Sequence, residues 1–424
     1  MKVMWITNIV IGSIHQKLFG KESNGLWMDA LLQEFISTKE HELIIVTTGR
    51  NKKYMYLEEE NVKYYILPGG NPNEYDHSKR DHIRDWERLL NKEEPDIIQV
   101  WGSEFTQGLA ALKAKPTIPS VIFIQGLLAS IAKYYEAGIE HKELKKNITL
   151  RDVIKGDSVL AQKRTFVKNS KYEKEMLRIS GNIISENLWT NANCKAIIPD
   201  IHIHSCPLSI NETFKNYRWS YETSEPYTIM CNASGYPLKG LHMILKALAL
   251  VKRTYPNVKL VVPGNPMISD RNMKSRLKKS GYMKYIEGQI DKLDLMDHVE
   301  FTGNLTPENM AKTMSKVNVF VLSSALENHS STLKEAMMVG TPCIASNVGG
   351  IPEYASHEDI ALLYRFEEYE LLAEYIRMIF EDPQLANKLS QNALKAVNTL
   401  HDDRTIYRTI TDIYKNIMNE NKIN

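Results

Sequence analysis

Two glutamates, Glu327 and Glu335, stand with seven residues between them in the stretch Ser323-Ser324-Ala325-Leu326-Glu327-Asn328-His329-Ser330-Ser331-Thr332-Leu333-Lys334-Glu335. The stretch follows an apolar run, 319–322, and opens a helical pattern. Ser331 or Thr332 is the expected helix cap. Free backbone N–H groups at such a helix start attract a phosphate. A carboxylate there, Glu335, can accept two ribose hydroxyls, as acids do in dinucleotide sites. Glu327, in the loop, can accept from sugar hydroxyls. The plain competing reading is a capped helix with an early acid.

A second cluster, Asn232-Ala233-Ser234-Gly235-Tyr236-Pro237-Leu238-Lys239-Gly240, follows the apolar run 227–231. Lys239 can neutralise a diphosphate, and Gly240 lets backbone approach closely. Gly264 ends the run 260–262, Gly303 ends 299–302, and the pair Gly349-Gly350 lies just after 343–345. Each is a common turn by itself. Their shared position, after successive strands, argues for one ligand site.

The elements that must hold these loops alternate. Runs at 3–11, 43–47, 62–67, 97–101, 121–124, 182–185 and 201–204 read as buried strands separated by many helical segments. The pattern restarts at 227–231 and continues through 260–262, 299–302, 319–322, 343–345 and 360–364. Apolar residues at 241, 244, 245, 248 and 251 mark one helix between them. Such alternation implies crossover units and parallel sheets. The fold class is therefore α/β: two Rossmann-like, doubly wound domains facing across a cleft, with ligands outside the carboxyl ends of the strands. The polar junction around 211–227 divides residues 1–215 from 216–400, and the helical segment 401–424 is expected to return to the first domain.

The chain of 424 residues is too long for one core, and its formal charge of +2 argues against a nucleic-acid partner. Four cysteines without C-x-x-C spacing argue for reduced buried thiols rather than a zinc or redox centre. The N-terminal apolar run lacks a cleavage site, and no stretch reaches the roughly 20 apolar residues of a membrane span. A cytoplasmic protein is expected.

These motifs resemble the retaining glycosyltransferases of family 4, which have the GT-B fold. The resemblance rests on Lys239-Gly240, Gly264, Gly303, Glu327 with Glu335, Ala336-Met337, Gly340-Thr341-Pro342 and Gly349-Gly350-Ile351-Pro352-Glu353. It is similar in detail to a subgroup of bacterial polysaccharide biosynthesis. It implies transfer of a sugar from a nucleoside diphosphate sugar, with UDP expected, to a growing glycan or lipid-linked acceptor. Capsule or exopolysaccharide would be the product class. It implies that Glu335 binds the ribose, Glu327 contacts the transferred sugar and Lys239 the diphosphate. Gly240 would admit the phosphates, and Gly264 would lie near the base. Backbone of Ser330, Ser331, Thr332 and Leu333 would meet sugar and phosphates. The catalytic pair is then Glu327 and Lys239. No metal or other cofactor is implied beyond the nucleotide sugar as co-substrate.

The chain departs from that pattern twice. Ser234 stands where the family usually carries Arg, and Gln125 where many members carry His. Lys334 is a candidate for the missing cation, against the plainer reading of a solvated helix-face lysine. Gly25 can present amides to donor phosphates or to the acceptor, Glu104 reads as a helix-start acid or an acceptor ligand, and Gln125 can hydrogen-bond the sugar or the acceptor. His15 reads as a loop residue. Lysines and arginines crowd residues 140–178, including Lys163, Arg164 and Lys168, as a solvated face or one resting on anionic membrane at the inner face. Two other readings stay open: a non-catalytic nucleotide-sugar-binding protein, and a non-hydrolysing nucleotide-sugar epimerase.

Overall fold

The structure, a computed structural model, describes residues 1–20, 28–51, 54–70, 80–233, 235–268, 278–398 and 402–423. The chain divides into two compact units. The first comprises Met1–Leu128, Lys168–Ser209 and His401–Asn424, the second Ala129–Val167 and Ile210–Leu400.

In the first unit the strands are β1 (Lys2–Ile6), β2 (Glu42–Gly49), β3 (Met55–Glu59), β4 (Val62–Pro68), β5 (Ile97–Trp101), β6 (Ser120–Phe123), β7 (Asn182–Ser185) and β8 (His202–Ser205). They run in the order β3-β4-β2-β1-β5-β6-β7-β8, parallel except for the β3–β4 pair. β5 is buried at every position, as a strand covered on both faces must be. Its one polar residue, Gln99, accepts from the Tyr414 hydroxyl. One face of the sheet packs on Ile406, Tyr407, Ile410, Ile413, Tyr414 and Ile417, a helical stripe of Asp403–Ile423. The Trp5 indole N–H donates to the Tyr414 hydroxyl at 3.0 Å, and Thr38 donates to Tyr407 at 2.9 Å. The C-terminal helix is thus part of this unit's core.

The second unit contains β9 (Glu225–Cys231), β10 (Lys259–Pro263), β11 (Val299–Gly303), β12 (Val317–Leu322), β13 (Cys343–Ser346) and β14 (Leu362–Tyr364). All pairs are parallel, in the order β11-β10-β9-β12-β13-β14. Counted from β9, that is the doubly wound order 3-2-1-4-5-6. The order reverses between β9 and β12, so the loops leaving those two strands flank the switch point.

Four sequence expectations change. The run 3–11 stops as a strand at Ile6, because the Thr7 hydroxyl bonds the Ile9 carbonyl at 2.7 Å and the chain turns. Next comes the helix Gly12–Phe19, so His15 is helical and not in a loop. Residues 129–167 belong to the second unit, not to a continuous 1–215 domain. Their anchors are local to that unit: His242 Nε2 donates to the Ala137 carbonyl at 2.8 Å, and the Gly281 N–H donates to Asp152 at 2.8 Å. The division at the junction falls at 209/210 rather than 215/216, since Phe214 is buried and the Trp219 N–H and indole bond Val339 and Val317 at 3.0 and 2.8 Å.

Candidate functional site

The loop after β12 is built by interlocking with the loop after β9. The Ser323 hydroxyl donates to the Lys239 carbonyl at 2.9 Å, and the Ala325 N–H donates to the Leu238 carbonyl at 2.7 Å. Gly240 makes this contact possible. It has φ +74°, and a Cβ there would lie 1.8 Å from the Ser323 carbonyl oxygen. Gly349, with φ +55°, does the same service from the loop after β13: its Cβ would lie 1.7 Å from the Glu327 carbonyl oxygen. Both positions accept only glycine, for backbone conformation and for space.

This scaffold brings the two expected catalytic residues together. Lys239 Nζ sits 2.7 Å from Glu327 Oε1, which also accepts from the Ser324 hydroxyl at 2.5 Å. Ser324 is fixed in turn, its carbonyl accepting from Ser346 at 2.6 Å. Burial works against the charge on Lys239, but the Glu327 carboxylate outweighs it and holds the ammonium well above the ordinary lysine range.

The helix that follows is Ser331–Val339, capped by Ser330, one residue earlier than the sequence expectation. The Ser330 side chain takes the Leu333 N–H at 3.3 Å. Among the described residues the Ser331 and Thr332 amides have no partner, so an anion at this end would meet them first. Asn232 Nδ2, from the loop after β9, donates to the Thr332 hydroxyl at 3.1 Å and ties the helix start to the switch point.

Glu335 lies one turn further, partly buried, with no hydrogen-bond or ion-pair partner among the described residues. Burial pushes its carboxyl up to about 7. Lys334 is not the solvated lysine of the plainer sequence reading. It is 2% exposed, with its ammonium 5.5 Å from the centre of the Tyr354 ring. Tyr354 in turn packs edge-on against His329 at 4.5 Å. A cation stacked on an aromatic face is a structural use of the charge. Gly264, at the end of β10, bonds the Gly303 carbonyl at 2.8 Å and joins two of the predicted loops.

In the first unit Glu104 and Gln125 converge on Gly102. A Cβ at Gly102 would lie 2.5 Å from Glu104 Oε2 and 3.2 Å from Gln125 Oε1. Glu104 Oε2 is buried with no partner among the described residues, and burial, with a smaller push from Glu173, raises its carboxyl to about 8. Glu173 accepts from the Ser103 hydroxyl at 2.7 Å and the Leu128 N–H at 3.0 Å. Sequence reasoning passed over Glu173, hidden in a stretch read as basic. It also missed Ser324 as the second support of Glu327 and Asn232 as the tie to Thr332. Their side chains gave no signal beyond lying in the right loops. Gly25 and Ser234 lie outside the described residues.

Two α/β units, each built on a mainly or wholly parallel sheet of this order, have the GT-B fold. Solved structures agree over nearly the whole chain. Sucrose-phosphate synthase from Thermosynechococcus elongatus aligns with TM-score 0.72 and 18% identity, covering 99% of this chain and 100% of that one. Alr3699/HepE from Anabaena, solved in complex with UDP-glucose, aligns with TM-score 0.66 and 15% identity, covering 98% and 100%. At such identities the likeness is one of fold.

At the level of sequence, residues 213–396 match the family model described as glycosyl transferases group 1, which supports the glycosyltransferase superfamily. A putative glycosyltransferase, YtcC, of Bacillus subtilis is 26% identical over 206 residues, 48% of this chain and 49% of that protein. N-acetyl-alpha-D-glucosaminyl L-malate synthase of Bacillus anthracis is 27% identical over 133 residues, 31% and 34% of the two chains. The chain thus spans about half the length, or less, of these curated relatives.

Proposed function

We propose that the protein is a retaining, metal-independent glycosyltransferase of family 4. It would move a sugar from a nucleoside diphosphate sugar, with UDP as the nucleotide, to a growing bacterial glycan or lipid-linked acceptor on the cytoplasmic side. The observation that carries this reading is the Lys239–Glu327 pair in the loop that leads to the helix start at Ser331, with Glu335 lacking a partner among the described residues.

On this reading the donor diphosphate takes over Lys239 and the Ser331 and Thr332 amides. Glu327, released from the ammonium, accepts hydroxyls of the sugar. Glu335, in its ionised form, accepts the two ribose hydroxyls. The Gly264 turn flanks the base. The first unit's Glu104 and Gln125 would bind acceptor hydroxyls.

The reaction then needs no protein nucleophile. The acceptor oxygen bonds to the anomeric carbon on the face that the diphosphate leaves. The breaking C–O bond delivers its electron pair to the diphosphate oxygen, and that oxygen takes the acceptor's proton. Lys239 and the two amides stabilise the charge that builds up on the leaving group.

The test is incubation of the protein with a panel of UDP- and GDP-sugars and candidate acceptors, followed by mass spectrometry. Release of UDP with a glycosylated product of unchanged anomeric configuration supports the proposal. Tight binding without release would mean a sensor, and conversion of the donor without acceptor an epimerase; either result overturns it.

A further inference from the structure

Helix Leu150–Lys155 carries apolar side chains on the outside. Leu150 is 70%, Val153 68% and Ile154 76% exposed, and Ile148, just before the helix, 37%. This is not a frayed end. Thr149 and Asp152 form a reciprocal capping box, with both bonds at 3.2 Å. Asp152 is buried and takes the Gly281 N–H at 2.8 Å, while the Thr149 hydroxyl donates to the Lys279 carbonyl at 2.9 Å. Arg151 closes the turn on Asp152 and Asp157 at 3.1 and 2.8 Å. The helix is pinned from beneath, and its outward residues are exposed among the described residues.

Directly before it in the chain, Lys146 and Asn147 line a cavity of about 480 Å³. Lys246, Lys284 and Lys292 line it as well, and Lys284 Nζ reaches the Lys146 carbonyl at 3.3 Å. His242, 2% exposed, also lines it. Its Nε2 donates to Ala137, so its Nδ1 is left as a buried acceptor with no partner among the described residues. Glu140 and Glu143 complete the rim, and Glu143 lies 3.9 Å from Lys146.

We propose that residues 146–155 dock the protein on an anionic phospholipid bilayer: Leu150, Val153 and Ile154 enter the interfacial layer, and the lysine-lined cavity beside them receives a lipid headgroup. The headgroup phosphate would meet the lysines. This rests on the proposed lipid-linked acceptor and says which element takes the chain to it.

Charge complementarity favours lipid over protein. Lys142, Lys145 and Lys155, near the apolar residues in the chain, are exposed, and long lysine stems can follow such residues into the interface while their ammonium groups stay at the phosphates. One short convex helix is also far from the roughly 800 Å² per partner of a stable protein interface. Within the wider basic run expected from sequence, Lys163 pairs with Glu136 at 3.1 Å.

The experiment is flotation of the full chain with phosphatidylglycerol–phosphatidylcholine vesicles and with phosphatidylcholine alone. Binding to the first and not the second is expected. Leu150→Asp with Ile154→Asp should lower the bound fraction about tenfold or more. Lys146→Glu with Lys284→Glu should remove the preference for the anionic lipid. UDP binding, measured on each variant, should be unchanged and certifies the fold. Absence of flotation overturns the docking. So does a wild-type dimer that Leu150→Asp disperses without any vesicle binding, because a second copy then covers the helix. UDP-sugar turnover on a soluble acceptor, measured separately, survives either failure if the proposed function is right.

Discussion

Lys239 and Glu327 meet at 2.7 Å although they stand 88 positions apart in the chain. The pair joins the loop after β9 to the loop after β12 at the point where the strand order reverses. Each residue neutralises the other, so neither charge is left unpaired in a partly buried loop. Replacing Lys239 by Ala should lower kcat by about 10²–10³ through lost charge stabilisation. Stability should fall by about 1–3 kcal/mol, because Glu327 loses its cation. Glu327→Gln should keep the fold, retain UDP affinity and reduce transfer. Denaturation midpoints alongside single-turnover rates separate the two effects. Equal loss of UDP affinity in both variants would contradict the division of labour.

The Glu335 carboxyl gives a pH signature. Its folded value, about 7, lies above the ordinary 4.5, so the folded state keeps its proton to higher pH than the unfolded state. The sign follows: its contribution is fully favourable below about 4.5 and is lost as pH rises towards 7. Glu335→Gln should therefore stabilise the ligand-free protein at pH 8, by on the order of 1–3 kcal/mol. The same substitution should weaken UDP binding, since a carboxylate accepts two ribose hydroxyls and an amide accepts less well. Wild-type UDP affinity should rise with pH towards and beyond 7, and the Gln variant should lose that dependence. Titration calorimetry across pH 5.5–8.5 reads both curves.

Glu104 should behave alike in the first unit. Its carboxyl stands at about 8, raised by burial and then by Glu173. Glu104→Gln should make the protein more stable at pH 9 and nearly neutral in effect at pH 5. If Glu104 binds an acceptor hydroxyl, the variant should raise the acceptor KM and leave the donor KM unchanged.

Gly240→Ala and Gly349→Ala should each disable transfer. A methyl would have to enter within 2 Å of a backbone carbonyl, at 1.8 Å from Ser323 and 1.7 Å from Glu327. The left-handed backbone adds roughly 1–2 kcal/mol of strain. Gly235→Ala, where a Cβ meets nothing within 4 Å, is the control for backbone strain alone. Far larger losses of UDP binding at 240 and 349 than at 235 are expected.

Tyr414→Phe should cost about 1–2 kcal/mol, because the Trp5 indole and Gln99 both lose a partner inside the core. Chemical denaturation checks this. Donor turnover should be insensitive to EDTA, since the charge on the leaving diphosphate is assigned to Lys239 and amides. Loss of activity on chelation, restored by magnesium, would overturn that assignment.

Sequence by itself determined the class of the fold and which loops follow its strands. Strands buried on both faces write continuous apolar runs, and ligand loops in doubly wound sheets come straight after them. The positions of Lys239, Gly264 and Glu327 after strands were therefore legible locally, while the helix cap fell at Ser330 rather than at Ser331 or Thr332. Only the tertiary structure decided which of these residues meet. Strand order, set by crossovers, put the ends of β9 and β12 side by side and so joined Lys239 to Glu327. It also decided that Lys334 is buried against Tyr354, that Glu173 supports Ser103 inside a stretch rich in lysine, and that residues 129–167 join the second unit. The pattern of a charged helix reads alike whether its lysine faces water or an aromatic ring; the partner arrives from a distant loop, and only packing reveals it.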